Sequence, residues 1–377
     1  MRAGDCKSKK LSYLLVVPSS CQTTSGTGTA IYDWIRFSKK YFDFTILMDI
    51  ENIFNYKYIR AFCDENNVKM VPSRGLKLPG CADTGILCLN EHLEKNKYHF
   101  VESVSWANAS TNLSILTSTR HRSKLIFTPH AQPIETLVNY EKYFMTKSVF
   151  RDMVDAADFV IVDSTQEAKL EIFPQSEGAN INFIPLGVDT NLYHPDPKEE
   201  NTYYILFVGD CNEYRKRIDI LISVFELLHE MDAKLKLVIV GKGSKQINIP
   251  DSISSSVQRL GFVDQPSLIK LYQTVLLFIM LSDYEAFCLP VAEALCTGCP
   301  VILNNTSVLS SLFLGIPGVI FVDNRNEKDI ANKVMGLIKQ KPSRSSIADH
   351  ASAIFSLERT YGQKLSLLLD GNQGKCQ

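Results

Sequence analysis

The sequence has 377 residues, 45% of them hydrophobic and 21% charged, which is enough chain for two globular domains of ordinary composition. Its 40 basic and 41 acidic residues nearly balance. No broad basic field is therefore available to bind a nucleic-acid backbone, and we expect no nucleic-acid partner. No apolar run approaches the roughly 20 residues that cross a bilayer.

The N-terminal segment allows two interpretations. Leu11–Val17 is an apolar run behind a lysine-rich tail, as in a weak secretory signal. The regular pattern after it favours a first buried strand instead. Ten cysteines form no regular framework. We interpret the single CxxC, Cys296 and Cys299, as two buried structural thiols rather than as a redox or zinc site.

The first half of the chain alternates short apolar runs with amphipathic stretches, such as Thr29–Lys40 and Asn55–Asn66. This alternation predicts a parallel sheet with helices on both faces. The predicted strands are Leu11–Val17, Phe44–Met48, Val68–Val71, Phe100–Val104, Leu125–Phe127, Phe159–Val162 and Asn182–Pro185.

A polar segment with two prolines follows at residues 186–202 and is typical of a linker between domains. The rhythm then restarts, which predicts a second doubly wound, Rossmann-like α/β domain. In such sheets, ligands bind outside the carboxyl ends of the strands. The predicted strands are Tyr204–Val208, Leu235–Val240, Val257–Leu260, Leu276–Leu281, Val301–Leu303 and Val319–Val322, and the predicted helices are Ile218–His229, Ser267–Gln273, Pro290–Cys296 and Lys328–Ile338.

The most informative segment is residues 282–302, SDYEAFCLPVAEALCTGCPVI. Glu285 follows a predicted strand, Pro290 suits the first turn of a helix, and Glu293 lies on that helix. The backbone amides of Phe287–Leu289 lie near the helix N-terminus, where anions bind readily. The unit offers carboxylates for sugar hydroxyls and N–H groups for phosphate oxygens. On spacing alone, a capped surface helix with a solvated glutamate fits equally well.

This segment resembles the signature of the retaining glycosyltransferases of family 4, roughly S-x-x-E-G-F-G-L-P-x-x-E-A-x-A-x-G-x-P-V. The matching residues are Ser282, Glu285, Phe287, Leu289, Pro290, Glu293, Ala294, Gly298, Pro300 and Val301. Three further stretches resemble the approach to that signature, the family's linker and its last N-domain strand and helix: GFVDQPSLIKLYQTVLLFIML, IPLGVDTNLYHP and VIVDSTQEAKLEI.

The resemblance implies the GT-B fold, in which two Rossmann-like domains face each other across a cleft. It implies an acceptor-binding domain at residues 1–190 and a nucleotide-sugar-binding domain at residues 202–350. The helical tail, residues 351–377, is expected to pack back on the first domain.

The resemblance also implies roles in the second domain. Glu285 is expected to contact hydroxyls of the donor sugar, and Glu293 the ribose of the nucleotide. Arg215 and Lys216 follow a turn at Gly209 and are expected to neutralise charge on the leaving diphosphate. On its own, such a basic cluster is ordinarily a solvated loop. The other donor-binding candidates of this domain are Gly209, Phe262, Phe287, Cys288 and Leu289.

The first domain has two weaker candidates. Gly26 and Gly28 precede a predicted helix where the family has a glycine-rich loop that faces the donor, although a plain turn fits equally well. His130 ends a predicted strand, and the family often has a histidine there, near the reacting sugar. It is a catalytic candidate together with Glu285, Arg215 and Lys216, and the alternative is a structural hydrogen-bonding residue.

The chain departs from the family at three places. Asp210 stands where many members have an arginine directly after the glycine. Ala286 and Cys288 replace the glycines on either side of Phe287, so the loop must differ if either position needs a positive φ. After Val301–Leu303, the stretch NNTSVLSSLF lacks the usual glycine-rich turn and glutamate.

The leading hypothesis is a transferase that moves a sugar from a UDP- or GDP-sugar to a glycan, lipid or small-molecule acceptor with retention of configuration. No cofactor or metal is expected, because side chains and helix termini take the diphosphate charge. A non-catalytic nucleotide-sugar- or glycan-binding protein and a nucleotide-sugar epimerase stay open as alternatives. An NAD-dependent dehydrogenase is disfavoured, because Gly26 and Gly28 lack the full dinucleotide fingerprint. We expect a cytoplasmic protein, with peripheral attachment to the cytoplasmic face of a membrane left open.

Overall fold

The computed structural model describes residues 10–17, 26–49, 53–76, 85–106, 109–118, 123–131, 144–170, 173, 179–197 and 202–373. The chain divides into two compact units, Met1–Ile184 with Gln363–Gln377, and Pro185–Gly362. The change of unit therefore comes slightly before the expected linker. The expected tail is divided, because its residues up to Gly362 belong to the second unit and the rest to the first.

The first unit is built on a seven-stranded parallel sheet with the spatial order β3-β2-β1-β6-β7-β8-β9. A separate antiparallel pair, β4 and β5, lies outside it. The strands are β1 Leu11–Val17, β2 Phe42–Asp49, β3 Lys69–Ser73, β4 Gly75–Leu76, β5 Gly85–Ile86, β6 Phe100–Val104, β7 Lys124–Thr128, β8 Phe159–Val162 and β9 Ile181–Phe183. The helices are α1 Gly26–Ser38, α2 Ile53–Asn66, α3 Leu89–Lys95, α4 Ala109–Ser118 and α5 Phe144–Ala156.

The second unit is built on a six-stranded parallel sheet with the order β12-β11-β10-β13-β14-β15. Its strands are β10 Tyr204–Val208, β11 Lys236–Val240, β12 Val257–Gly261, β13 Leu277–Met280, β14 Val301–Asn304 and β15 Val319–Val322. The helices of the second half are α6 Ile218–Met231, α7 Gln265–Thr274, α8 Leu289–Cys296, α9 Ser307–Phe313, α10 Glu327–Gln340, α11 Arg344–Phe355 and α12 Leu357–Gln373. The two parallel sheets with helical connections confirm the predicted α/β class.

Strands of the second sheet are buried because helices cover both faces. The whole of β13 and β14 is inaccessible to solvent, which explains their unbroken apolar sequences. One helix escaped the sequence prediction. The hydroxyl-rich stretch after β14 forms α9, whose start is capped by Thr306 as its Oγ1 accepts the N–H of Leu309 at 3.2 Å.

The order of the strands creates a switch point in each sheet. In the second unit the chain runs outward from β10 to β11 and β12, and it then returns to the other side of β10 as β13. In the first unit, β1 has β2 on one side and β6 on the other. The loops that leave the carboxyl ends of two such neighbouring strands diverge and open a crevice for a ligand.

A buried ion pair attaches the end of α12 to the first sheet. Nζ of Lys364 donates to both carboxylate oxygens of Glu102 on β6, at 2.8 and 3.0 Å. The hydroxyl of Tyr13 also donates to that carboxylate, at 2.5 Å. Burial alone would raise the pKa of Glu102, but the Lys364 charge outweighs it and the pKa is lowered. Among the helices of the described residues, none is both long enough and apolar enough to cross a bilayer.

Candidate active site

The loop after β10 begins with two backbones in close contact. The N–H of Gly209 donates to the carbonyl oxygen of Val240 at 3.0 Å, and a Cβ on Gly241 would lie 2.0 Å from the carbonyl oxygen of Gly209. Gly241 also has a φ of +128°, which side chains rarely allow. The loops after β10 and β11 are therefore held together by glycine, and a short 3-10 turn, Tyr214–Lys216, then leads into α6.

That turn brings two cations onto the carboxylate of Glu285. Nζ of Lys216 donates to Oε1 at 2.7 Å, and a guanidinium nitrogen of Arg215 lies 2.8 Å from Oε2. Arg215 also donates to the carbonyl oxygen of Tyr284 at 3.0 Å. Lys216 is 7% exposed and Glu285 is 5% exposed. Three of the four catalytic candidates thus form one cluster, at the carboxyl ends of the switch-point strands β10 and β13.

The electrostatics of this cluster are decided by its two cations. Burial would raise the pKa of Glu285, but the positive charges of Lys216 and Arg215 outweigh that effect and hold its pKa at about 2. The carboxylate is therefore ionised at neutral pH. Two cations and one carboxylate leave one excess positive charge, which Glu213 approaches from the exposed side, 2.5 Å from Arg215. The arrangement can attract an anionic group.

A buried amide network supports the segment that carries Glu285. The side chain of Asn304, after β14, donates to the carbonyl oxygen of Ser282 at 2.9 Å. The side chain of Asn324, after β15, donates to Asp283 Oδ1 at 2.7 Å. Arg217 pairs with the same carboxylate at 3.2 Å. Sequence reasoning missed these residues, although two asparagines directly after buried strands were a readable signal.

Glu293 is buried on α8 and accepts a hydrogen bond there. The hydroxyl of Tyr272, on α7, donates to its Oε2 at 3.1 Å. Burial and the charge of Glu293 together raise the pKa of Tyr272 well above its usual range. The phenol therefore stays protonated, and it orients the carboxylate.

The two glycine replacements beside Phe287 behave differently. Cys288 has a φ of 80° and a ψ of 68°, in the left-handed region, whereas Ala286 has a negative φ. The buried cysteine thus occupies a backbone conformation that glycine adopts without strain, at a cost of about 1–2 kcal/mol. The turn into α8 is kept despite the substitution.

The other donor-binding candidates differ in what their side chains contact. The ring of Phe287 packs against Phe313 and Phe355 with centroids 6.2 and 5.8 Å away, so it belongs to the core. Leu289 is buried as well. A ligand contact from either position would have to come from its backbone. Phe262 follows β12, two strands from β10, and is 71% exposed.

Asp210 takes part in a local charge pair. Its Oδ2 lies 3.6 Å from Nζ of Lys242, in the loop after β11. Its Oδ1 accepts the N–H of Asn212 at 3.0 Å. A cation is therefore present beside the position where the family often has an arginine, but it comes from the neighbouring loop. Arg215 lies in the Glu285 cluster.

The first unit places His130 beside a carboxylate that the sequence did not single out. His130 follows β7 with a φ of 48°, and its Nδ1 lies 2.6 Å from Oδ2 of Asp163, which follows β8. Gly26 and Gly28 lie in the first turns of α1, and the preceding Ser25 is outside the described residues. An acidic residue directly after the strand next to β7 was the signal that pointed to Asp163.

Glu167 lies beneath this pair and holds its backbone. It accepts the N–H groups of Ala131 and of Asp163, the second at 2.7 Å. Burial and the neighbouring charge of Asp163 raise the pKa of Glu167 well above its ordinary value. The residues that follow β7 and β8 are thus tied to one buried side chain.

The two cysteines of the CxxC are buried free thiols, as predicted. Burial raises the pKa of Cys296 to about 12 and that of Cys299 to about 11. Both are therefore protonated at neutral pH and unreactive as nucleophiles.

Comparison with known families and curated proteins gave matches of one kind. The family described as "Glycosyl transferases group 1" matches residues 190–353. D-inositol 3-phosphate glycosyltransferase of Corynebacterium aurimucosum is 27% identical over 252 residues, which are 58% of this chain and 59% of that protein. GDP-mannose-dependent alpha-(1-6)-phosphatidylinositol dimannoside mannosyltransferase of Mycobacterium tuberculosis is 24% identical over 58% of this chain and 60% of its own length. The matches thus span about three fifths of the length of these relatives.

Solved structures show the fold of the whole chain. Sucrose-phosphate synthase of Thermosynechococcus elongatus has a TM-score of 0.75 and 16% identity, covering 97% of this chain and 100% of its own. Anabaena HepE, solved in complex with UDP and glucose, has a TM-score of 0.75 and 16% identity, with coverage of 96% and 100%. The GT-B fold expected from the sequence is confirmed.

Proposed function

Residues 190–353 belong to the glycosyl transferases group 1 family, and from this premise we propose that the chain transfers a sugar from a nucleotide-sugar donor to an acceptor with retention of anomeric configuration. The observation that carries the proposal is the cluster of Lys216, Arg215 and Glu285. It lies where the strand order of the second sheet opens a crevice, and it has an excess of positive charge over its one carboxylate.

In this function the second unit binds the donor, with its diphosphate beside Lys216 and Arg215. As the bond to the sugar breaks, negative charge grows on the diphosphate, and fixed cations in a buried site stabilise that state more than the ground state. Glu285 keeps the two cations in place. Because it is ionised, it also favours the positive character that develops on the sugar.

Glu293 is assigned to the ribose. A carboxylate accepts two hydroxyl donors at once, and the hydroxyl of Tyr272 at 3.1 Å orients this one before the nucleotide binds. The backbone N–H groups near Cys288 and Leu289, at the start of α8, are assigned to phosphate oxygens. Phe262 is an exposed ring at the carboxyl edge of the same sheet, available to the base.

Retention is proposed to occur without a side-chain nucleophile. In a front-face displacement, the leaving phosphate oxygen takes the proton of the acceptor hydroxyl as that hydroxyl attacks. The proposal assigns the diphosphate charge to side chains rather than to a metal ion, so transfer should continue when divalent cations are chelated. The first unit is assigned to the acceptor, with His130 and the start of α1 at its carboxyl edge.

The acceptor class is suggested by the names of the relatives. Several of them are named for inositol phosphate or phosphatidylinositol acceptors. These two compounds are therefore the first acceptors to test, followed by glycans. The location proposed is the cytoplasm or the cytoplasmic face of a membrane.

The experiment begins with thermal melting in the presence of UDP- and GDP-sugars. A donor at a hundred times its dissociation constant should stabilise the protein by about 2.7 kcal/mol. The donor that binds is then incubated with acceptors, and the product is identified by mass spectrometry together with its anomeric configuration. Binding without turnover would favour the non-catalytic alternative. Acceptor-independent release of free nucleotide would favour an epimerase, and an inverted product would exclude retention.

A further inference from the structure

The pair of His130 and Asp163 lies where a parallel sheet binds its ligands. The two residues follow β7 and β8, which are neighbours in the first sheet. Asp163 is 1% exposed. Its Oδ1 has no hydrogen-bond partner within the part of the chain that the structure describes, so its described side-chain contact is with Nδ1 of His130 at 2.6 Å. A buried carboxylate normally satisfies both oxygens, and this one is aimed at an imidazole.

The contact determines which ring nitrogen carries a proton. A carboxylate only accepts hydrogen bonds, so Nδ1 of His130 must be the donor. In the neutral ring, Nε2 then has a lone pair and accepts hydrogen bonds. The orientation of the ring is maintained by the backbone, because Glu167 accepts the N–H groups of Ala131 and Asp163. His130 itself has a φ of 48°, a conformation that persists only where its surroundings hold it.

We propose that Asp163 is a positioning residue that fixes His130 in the tautomer whose Nε2 accepts a hydrogen bond from a substrate hydroxyl. The proposal rests on the proposed transfer function and deepens it, because it specifies the hydrogen-bonding atom that the first unit presents. A purely structural Asp163 would instead stabilise the loops after β7 and β8 without regard to the protonation of the ring.

The first experiment reads the tautomer directly and needs no substrate. The protein is labelled with 15N in its seven histidines, and His130 is assigned by the loss of its signals in His130→Gln. Long-range 1H–15N spectra distinguish a protonated Nδ1 from a protonated Nε2. We expect His130 of the parent to carry its proton on Nδ1. In Asp163→Asn the new amide can direct an N–H toward Nδ1, and in Asp163→Ala the acceptor is gone, so both variants should gain the Nε2-protonated form.

The second experiment measures coupling. In a transfer assay, Asp163→Asn should lower kcat by about tenfold to a hundredfold, in the range found for residues of one hydrogen-bond network, with the donor KM nearly unchanged. The same substitution in a His130→Gln background should have little further effect. A structural residue would lower activity by the same factor in both backgrounds.

Asp158→Asn is the matched control. Asp158 precedes β8, and its carboxylate bridges to β7 at the opposite end of the same two strands, through Lys124 at 2.6 Å and the N–H of Leu125 at 3.0 Å. It should alter stability without altering the tautomer of His130 or the ratio of kcat between the two backgrounds.

A parent His130 protonated on Nε2, a tautomer unchanged in both Asp163 variants, or equal losses of kcat in the two backgrounds would each overturn the proposal. If the parent transfers no sugar with any donor and acceptor, the proposed function fails, and the tautomer measurement still decides the role of Asp163.

Discussion

Glu285 in the second unit and Glu167 in the first are both buried carboxylates at the carboxyl edge of a parallel sheet, yet they titrate in opposite directions. Lys216 and Arg215 contact Glu285, and its pKa falls to about 2. Asp163 lies beside Glu167, and the pKa of Glu167 is raised well above the ordinary value. Burial alone would raise both. The neighbouring charge therefore decides which of the two carboxyl groups is permanently ionised.

The difference does not separate the two units as such. Glu102 in the first unit is as buried as Glu167, but Lys364 contacts it and its pKa is lowered. What distinguishes Glu285 is a surplus of cations at the edge where ligands bind. Glu102 has a single lysine and lies within the sheet, where it holds a helix. A charge surplus at an open edge is what an anionic substrate requires.

The largest effect is expected from Glu285→Gln, which removes the ionised member of the comparison. The folded-state pKa of about 2 lies below the ordinary 4.5. The carboxylate therefore contributes stability that is complete above about pH 4.5 and is lost as the pH falls through about 2, a contribution of about 3 kcal/mol. The variant lacks it and leaves two cations without their partner. Its free energy of unfolding at neutral pH should fall by about 3 kcal/mol or more in urea titrations.

The control for this substitution is Glu230→Gln, on the exposed side of α6. It should leave the acid dependence of unfolding as in the parent. An equally steep loss of stability toward low pH in Glu285→Gln and in the parent would show that Glu285 is not the group responsible.

Lys216→Ala tests whether the charge surplus serves catalysis. The lost cation would pair more strongly with the leaving diphosphate than with the bound donor, so kcat should fall, by about 2 kcal/mol in activation free energy or roughly thirtyfold. Arg215→Ala should have a comparable effect. Arg325→Ala removes an exposed arginine that pairs with Asp323 and should leave turnover unchanged. Full turnover in both Lys216→Ala and Arg215→Ala would remove the pair from the proposed site.

Glu167→Gln tests the other member of the comparison through the sign of its pH dependence. Because the folded-state pKa of Glu167 is raised, its contribution to stability is present below the unfolded-state value and is lost as the pH rises through the folded-state value. Relative to the parent, the variant should therefore become more stable as the pH rises, the reverse of Glu285→Gln. Urea titrations of both variants at matched pH values measure the two slopes. Slopes of the same sign would mean that the neighbouring charges do not decide the titration.

The smallest effect concerns the turn that leads to Glu293. At position 288 the φ of 80° favours glycine, so Cys288→Gly should be more stable than Cys288→Ala by about 1 kcal/mol. Within α8 the order reverses, and Ala292→Gly should be less stable than the parent by about 1 kcal/mol or more. Denaturant midpoints of the variants give both differences. A Cys288→Ala protein as stable as Cys288→Gly would show that the backbone is not strained there.

Much of the fold was readable from local pattern. The strands of the second unit match their predicted positions within a few residues, because a buried parallel strand is an unbroken apolar run between polar turns. The helix α9 was missed because serine and threonine suggest loops, and only the capping role of Thr306 makes this stretch helical. Ala286 and Cys288 were correctly identified as positions where backbone conformation matters, but the sequence did not indicate which of them has the positive φ.

The sequence by itself determined the α/β class, the two sheets and the segments that carry Arg215, Lys216, Glu285 and Glu293, because apolar periodicity and turn residues act over a few positions. Only the tertiary structure decided which of those groups meet. Lys216 and Glu285 are separated by 69 residues, and they form an ion pair because the chain crosses β10 and returns as its neighbour β13. The contact of His130 with Asp163 arises in the same way from the adjacency of β7 and β8. Strand order is a property of the whole packed chain, and it sets the charges that each buried carboxylate meets.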